Sequence, residues 1–200
     1  MRPNRLEAFS DGVIAIIITI MVLELRVPHG TSAAALRPVL PVFLSYILSF
    51  VYLGIYWNNH HHMLAVTRRV NGAILWANLY LLFWLSLVPF VTAWMGENHF
   101  AAVPTALYGV VLLLAGTAYL ILQSTIVASQ GPDSILATAI GRDVKGKIST
   151  VLYVAAIPAA FVQPWISDAL YVVVAVIWLV PDRRIMRVVA ASARRRELEE

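Results

Sequence analysis

Six apolar segments, separated by short polar or turn-forming stretches, give this chain its pattern. The first segment is rich in isoleucine and carries no charge from Val13 to Leu23. Since about twenty residues of α-helix cross the hydrocarbon core of a bilayer, each segment predicts a membrane-spanning helix. The predicted helices cover about residues 5–25, 38–60, 72–95, 103–129, 145–163 and 165–181. The sequence therefore predicts an all-α integral membrane protein with six transmembrane helices in one domain, residues 1–181.

The composition supports this class. Hydrophobic residues make up 60% of the chain and charged residues only 13%, which is far more apolar than a soluble domain. There is no cysteine, so neither a disulfide nor a thiolate metal site is available. A cleaved signal peptide is the competing interpretation of the N-terminus. We favour a first membrane helix, because Glu7 and Asp11 interrupt the approach to the apolar run and Glu24-Leu25-Arg26 is a poor cleavage site.

The basic residues indicate the orientation. If the N-terminus is inside, only Arg26 and Arg37 of the 15 lysines and arginines lie outside, which leaves 13 on the cytoplasmic side. The positive-inside rule then places both termini in the cytoplasm. We expect residues 182–200 to form a basic cytoplasmic tail, either a short basic helix or a disordered end, that lies on anionic membrane lipid. Because the basic residues flank membrane helices, we expect no nucleic-acid partner despite the net charge of +4.

The inner end of the first helix carries ionisable side chains, which are costly in a membrane unless they find a partner. Arg5 and Asp11 lie about 240° apart around a helix, so they cannot pair along one face. The candidate partners of Asp11 at the same depth are His60, His61, His62, Asn71, Trp76 and Asn78. The alternative interpretation is a cap, in which Ser10 or Asp11 opens a helix that starts at Gly12.

The three consecutive histidines do not predict a metal site. Neighbouring residues on a helix point about 100° apart, so the side chains do not converge on one ion. The simpler interpretation is an interfacial helix end with one histidine turned inward to a hydrogen-bond partner. We therefore expect no structural metal here.

An apolar stripe about 100° wide follows one side of the first helix. Its members are Ile16, Thr19, Ile20 and Leu23. Such a stripe is most often a packing seam between helices. If several copies face one another around an axis, however, rings of aliphatic side chains form a hydrophobic constriction that gates ions by dewetting. Glu24 then stands at the outer mouth and enriches cations there.

Arg5-x-x-x-Phe9-Ser10-Asp11-Gly12, followed by an isoleucine-rich helix, resembles a known signature. It is similar to that of the bacterial relatives of the endolysosomal potassium channel called transmembrane protein 175. The stretch Trp57-Asn58-Asn59-His60-His61 is similar to the second helix of that family. Asn78 and Leu87-Val88-Pro89-Phe90 are similar to the third. The match covers about the first half of the chain.

The resemblance implies a specific assembly. Bacterial members carry one six-helix unit per chain and form homotetramers in which the first helix lines the pore. The implied pore positions are Ile16 at the constriction, then Thr19, Ile20 and Leu23. The implied signature network, which holds the first helix to its neighbours by hydrogen bonds, contains Arg5, Phe9, Ser10, Asp11, His60, His61 and Asn78. The implied location is the inner (plasma) membrane of a bacterial cell.

Two functions remain open from the sequence. The channel interpretation predicts passive, voltage-insensitive and weakly potassium-selective cation flux, with permeant potassium and no cofactor. The alternative is a proton-coupled transporter in which Asp11 and a second-helix histidine titrate as a pair. We expect no enzymatic activity, because the sequence offers neither a nucleophile with an adjacent base nor a set of metal ligands.

Overall fold

The structure is a computed structural model that describes residues 3–131, 134–140 and 143–179. Within these ranges the chain forms α-helices, a short 3-10 helix and turns, and no β-strand. The helices are α1 (Pro3–Leu23), α2 (Leu40–Ala65), α3 (Gly72–Ser86), α4 (Val88–Glu97), α5 (Ala102–Gln130), α6 (Ile135–Ile140), α7 (Val144–Ala159) and α8 (Pro164–Leu179). The prediction of an all-α protein is confirmed. The predicted basic tail, residues 182–200, lies outside the described residues.

Four helical segments are long and apolar enough to cross a membrane: α1, α2 together with its preceding 3-10 helix (Ala33–Val39), α3 together with α4, and α5. They match the first four predicted spans. The fifth and sixth predicted spans correspond to α7 and α8, which are shorter, with 16 residues each. α8 is also strongly apolar.

The third predicted helix is divided near its end. α3 stops at Ser86 and α4 starts at Val88, with Leu87 between them. Pro89 explains the break, because its ring nitrogen has no hydrogen to donate to the carbonyl one turn earlier. Leu87 instead donates its N–H to the Trp84 carbonyl at 3.2 Å, which tightens the turn. The two helices still form one apolar span of 26 residues.

Close packing joins the helices into one bundle. α5 contacts α3, α4, α7 and α8, while α1 packs against α2, α3 and α4. Gly109 on α5 shows how tight the contact is, since a Cβ atom there would overlap the hydroxyl of Tyr171 on α8. Small residues allow this approach, which matters in lipid because helices associate there mainly by packing and hydrogen bonds.

Buried hydroxyl groups add a second kind of contact in the centre of the bundle. Ser49 on α2 is 2.6 Å from the Thr92 hydroxyl on α4 and 3.0 Å from the Tyr108 hydroxyl on α5. Tyr52 donates to the carbonyl of Tyr171 on α8 at 2.6 Å. Each interhelical bond of this kind contributes on the order of 1 kcal/mol. One side of α1 therefore packs against helices that are themselves joined by close contacts and buried hydrogen bonds.

Candidate ion pathway along the first helix

α1 has two faces of different character, although both are largely apolar. The side chains packed into the bundle are Leu6, Ser10, Ile14, Ile17 and Met21. At about 100° per residue, these five positions share an arc about 80° wide. The predicted stripe is centred about 130° away from this arc. The chain thus packs one side of α1 into the bundle and leaves the stripe exposed.

The predicted stripe is exposed along its whole length. Ile16 is 59% exposed, Ile20 42% and Leu23 79%. Thr19 is exposed as well, and its hydroxyl donates to the Ile16 carbonyl at 2.9 Å. The hydrogen of this hydroxyl is therefore satisfied within the helix, and the oxygen remains able to accept. Glu24 follows directly after the last helical residue and is exposed.

A buried hydrogen-bond chain holds the inner half of α1. Ser10 donates to the Leu6 carbonyl at 2.8 Å and accepts from the amide nitrogen of Asn78 on α3 at 3.0 Å. The amide oxygen of Asn78 lies 2.7 Å from Nε2 of His60 on α2. All three linked side chains are fully buried. Because the Asn78 oxygen can only accept, His60 carries a proton on Nε2, and this chain joins three helices.

The cap interpretation of Ser10 and Asp11 is wrong. α1 begins at Pro3, so both residues lie inside the helix, and the Ser10 hydroxyl donates to a carbonyl one turn earlier instead of accepting a backbone N–H. The physical reason is that Ser10 gains a buried partner on α3 when the helix continues through it. The inward-turned histidine is confirmed and is His60.

A second, more exposed layer of contacts surrounds the buried chain. Asp11 accepts a hydrogen bond from the indole nitrogen of Trp57 on α2 at 3.1 Å. Nδ1 of His61 lies 2.6 Å from a carboxylate oxygen of Glu7, and the His61 ring stacks on Trp57 with centroids 6.3 Å apart. Asp11 therefore meets Trp57, which was not among its predicted partners. The pairing of Asp11 with a histidine, which the transporter alternative requires, is absent from the described contacts.

The remaining two signature residues face the other way. Arg5 and Phe9 lie within about 20° of the Ile16 direction, so they continue the exposed stripe toward the inner end. Both are exposed, and within the described residues Arg5 makes no hydrogen bond or ion pair. The signature thus divides in two: Ser10 and Asp11 face the bundle, while Arg5 and Phe9 do not.

The outer end of α1 is tied to a different part of the bundle. Arg26, three residues beyond the helix, forms an ion pair with Glu97 at the end of α4, with 3.1 Å between nitrogen and oxygen. Both side chains are largely exposed to solvent, so the pair adds little stability.

Glu24 and Arg26 also line a groove of about 410 Å³ beside Glu97. Across residues 3–131, 134–140 and 143–179, no three histidine or acidic side chains are grouped so as to hold a metal ion.

The fold and the first helix define a multi-span helical membrane protein with one aliphatic helix face left free. Residues 5–89 match the family described as Endosomal/lysosomal potassium channel TMEM175. A protein named a potassium channel in Chryseobacterium sp. (strain P1-3) is 56% identical over 92% of this chain and 96% of its own length. The chain therefore belongs to the TMEM175 family. This is a family of ion channels, which are not a class of enzyme, and the resemblance drawn from the first-helix motif is confirmed.

A solved structure and an animal relative extend the comparison. The crystal structure of a lysosomal potassium-selective channel TMEM175 homologue from Chamaesiphon minutus superposes with a TM-score of 0.76. The two chains are 27% identical, and the match covers 90% of this chain and 97% of that one. The human protein named Endosomal/lysosomal proton channel TMEM175 is 35% identical over 37% of this chain, but only 17% of the human protein is covered.

Proposed function

We propose that this protein is a potassium-permeable cation channel that conducts passively, as a homotetramer whose pore is lined by α1 of each subunit. The observation that carries the proposal is the exposed aliphatic stripe on α1, a helix whose other side is packed into the bundle. Ile16 and Leu23 are among the more exposed side chains of the described residues and have no partner within the subunit, as the wall of a pore shared between subunits requires. The potassium-selective Chamaesiphon homologue supports the same conclusion.

The stripe sets the properties of the pore. In a tetramer, Ile16, Ile20 and Leu23 would form three aliphatic rings separated by about 6 Å and about 4.5 Å along the axis. A potassium ion would lose part of its hydration shell without receiving carbonyl oxygens in return, so selectivity over sodium rests on dehydration and is weak. Thr19 would offer hydroxyl oxygens between the rings. Glu24 would concentrate cations at the outer mouth.

The same proposal includes the membrane arrangement. Residues 1–181 form one domain in which α7 and α8 add the fifth and sixth spans, and both termini lie in the cytoplasm of a bacterial cell, with the domain in its inner membrane. The charge distribution supports this orientation, since Arg5, Arg68 and Arg69 flank the inner ends of α1, α2 and α3. Residues 182–200 are proposed as the cytoplasmic tail. In the tetramer, Arg5 and Phe9 would face neighbouring subunits.

The proton-coupled transporter is the second candidate. The human relative is named a proton channel, which supports movement of protons but not their coupling to a second substrate. A coupled transporter needs a titrating pair that changes partners during the cycle. Here His61 contacts Glu7 and His60 contacts Asn78, so a proton-coupled cycle would have to begin by separating existing contacts. Passive flux through α1 requires no such step, and we therefore place the channel first.

The experiment is potassium flux from liposomes that contain the purified protein, driven by a potassium gradient alone. We expect fast flux in the natural protein and faster, less selective flux in Ile16→Asn, because an amide wets the narrowest ring. Val151→Asn is the matched control, since Val151 is 67% exposed but lies on α7. It should leave flux unchanged.

Two outcomes would overturn the proposal. If neither Ile16→Asn nor Leu23→Asn alters flux, α1 does not line the pathway. If flux occurs only with a proton gradient and disappears in Asp11→Asn while the tetramer persists, the transporter alternative is correct.

A further inference from the structure

A groove of about 870 Å³ opens at the end of the bundle where α1 and α3 begin and α5 ends. It is separate from the exposed stripe of α1. Its walls come from the start of α1, the α2–α3 connection and the last residues of α5. The polar residues that line it are Arg68, Arg69, Asn71, Ser129 and Gln130. Among the described residues, neither a carboxylate nor an aromatic side chain lines the groove.

The groove collects hydrogen-bond donors that lack acceptors. Arg68 and Arg69 are exposed, and neither forms a hydrogen bond or ion pair with another described residue. The side-chain nitrogen of Gln130 is buried and also has no partner in the described part of the chain. Buried amide donors are nearly always satisfied in folded proteins, so an unmatched one points to an absent acceptor. Because two arginines line the same groove, that acceptor is expected to carry negative charge.

The start of α3 adds a third contribution. Asn71 caps this helix of 15 residues by accepting the N–H of Ile74 at 2.9 Å. The N-terminal end of a helix carries partial positive charge and attracts anions. Asn71 lines the groove, so the helix end lies at the same place as the two arginines.

The position of the groove indicates where the anion comes from. α2, α3 and α5 all belong to segments long and apolar enough to cross a membrane, and the groove lies at their ends, where lipid headgroups surround a bundle that spans a bilayer. Trp76, one turn into α3, is 75% exposed, and exposed tryptophans are typical of the membrane–water interface. Basic pockets between transmembrane helices on the cytoplasmic side are suited to anionic lipid headgroups.

We propose that this groove binds the phosphate of an anionic phospholipid headgroup, with Arg68, Arg69 and the side-chain amide of Gln130 as donors. One site is present in each subunit. The bound lipid lies beside Pro3 and so beside the inner end of α1. This site is independent of whether α1 conducts ions, and its test requires no measurement of flux.

The test is native mass spectrometry of the detergent-purified protein with added phosphatidylglycerol or phosphatidylcholine. We expect phosphatidylglycerol to bind more tightly, and Arg68→Gln with Arg69→Gln to weaken it about tenfold. Lys145→Gln with Lys147→Gln removes the same charge on α7, away from the groove, and should change binding less than about twofold. Gln130→Leu keeps the charge and should weaken binding about threefold, because it removes one donor.

Three results would overturn the proposal. Equal binding of both lipids would remove the requirement for an anion. Equal losses in the arginine and lysine double variants, with none in Gln130→Leu, would indicate general surface charge instead of a site. Competition by soluble glycerol phosphate as strong as by phosphatidylglycerol would show that the groove binds a free phosphate group and not a lipid.

Discussion

Ile16 and Ile17 are neighbours of the same residue type, yet they belong to opposite regions of α1. Ile17 is 4% exposed and packs in the core of the bundle. Ile16 is 59% exposed and is not part of that core. In a soluble protein such a difference would be marked by a polar residue on the exposed side. In a membrane both faces are apolar, because neither lipid nor a dewetted pore rewards polarity.

The comparison shows that the packed and the exposed positions of this helix differ in direction and not in composition. The packed face is fixed by partners on α2, α3 and α4. The free face is available to other subunits and to ions. Substitutions that respect this division should change either stability or flux, and the following predictions are ordered from the largest expected effect on stability to the smallest.

Ile17→Asn should destabilise the protein by about 3 kcal/mol, because it places an amide without a partner in a packed apolar site. Ile16→Asn makes the same chemical change one residue earlier and should change the free energy of unfolding by less than about 0.5 kcal/mol. Unfolding by titration with a denaturing detergent measures both. Similar losses of stability in the two variants would mean that the faces do not differ as described.

Asn78→Leu should cost about 2 kcal/mol of stability, since it leaves Nε2 of the buried His60 without an acceptor and removes a bond to Ser10. Asn98→Leu is a matched control, because Asn98 is exposed and bonds only to a carbonyl of its own helix. The same detergent titration applies. If Asn98→Leu lowers the free energy of unfolding as much as Asn78→Leu does, the buried hydrogen-bond chain does not hold α1 in place.

Glu7→Gln should lower stability by less than about 1 kcal/mol, because its contact with His61 is partly exposed. Where the imidazole is protonated the pair is charged, and the effect should then shrink as salt is added, since exposed charges are screened. Unfolding at low and high salt, with Glu97→Gln as the control for an exposed pair at the opposite end of α1, measures the difference. If Glu7→Gln lowers stability more than Asn78→Leu does, the exposed Glu7–His61 contact, and not the buried chain, contributes most to holding α1.

Hydropathy alone predicted the four long apolar segments, because the length of an apolar run is a property of the sequence. The count of six membrane spans stays a prediction, since α7 and α8 have only 16 residues each. The stripe on α1 also followed from helical spacing. The break at Leu87 and the short α6 were not predicted, since Pro89 lies inside a continuous apolar run and α6 is too short for a periodic signal. Pro89 was the available sign of that break.

The contacts of the inner network were predicted only in part. Sequence placed Asp11 at the depth of the second-helix end, and the partner is indeed on α2. It is Trp57 and not a histidine, because the rotation of α2 about its own axis decides which side chain faces α1. That rotation is set by packing against α4 and α8, which no local pattern reveals. Packing between helices likewise decides that Ser10 and Asp11 face the bundle while Arg5 and Phe9 do not.

The pore assignment of the free face can be tested through the absence of cysteine from the natural chain, which makes a single introduced thiol specific. Leu23→Cys places that thiol on the stripe beside the outer mouth, and Val151→Cys places it on the exposed side of α7. A small cationic methanethiosulfonate reagent is applied during potassium flux from liposomes. We predict that flux through Leu23→Cys falls sharply, because each modified ring carries added bulk and positive charge, while flux through Val151→Cys is unchanged. Unchanged flux through Leu23→Cys that mass spectrometry shows to be fully modified would contradict the assignment of this face of α1 to the pore.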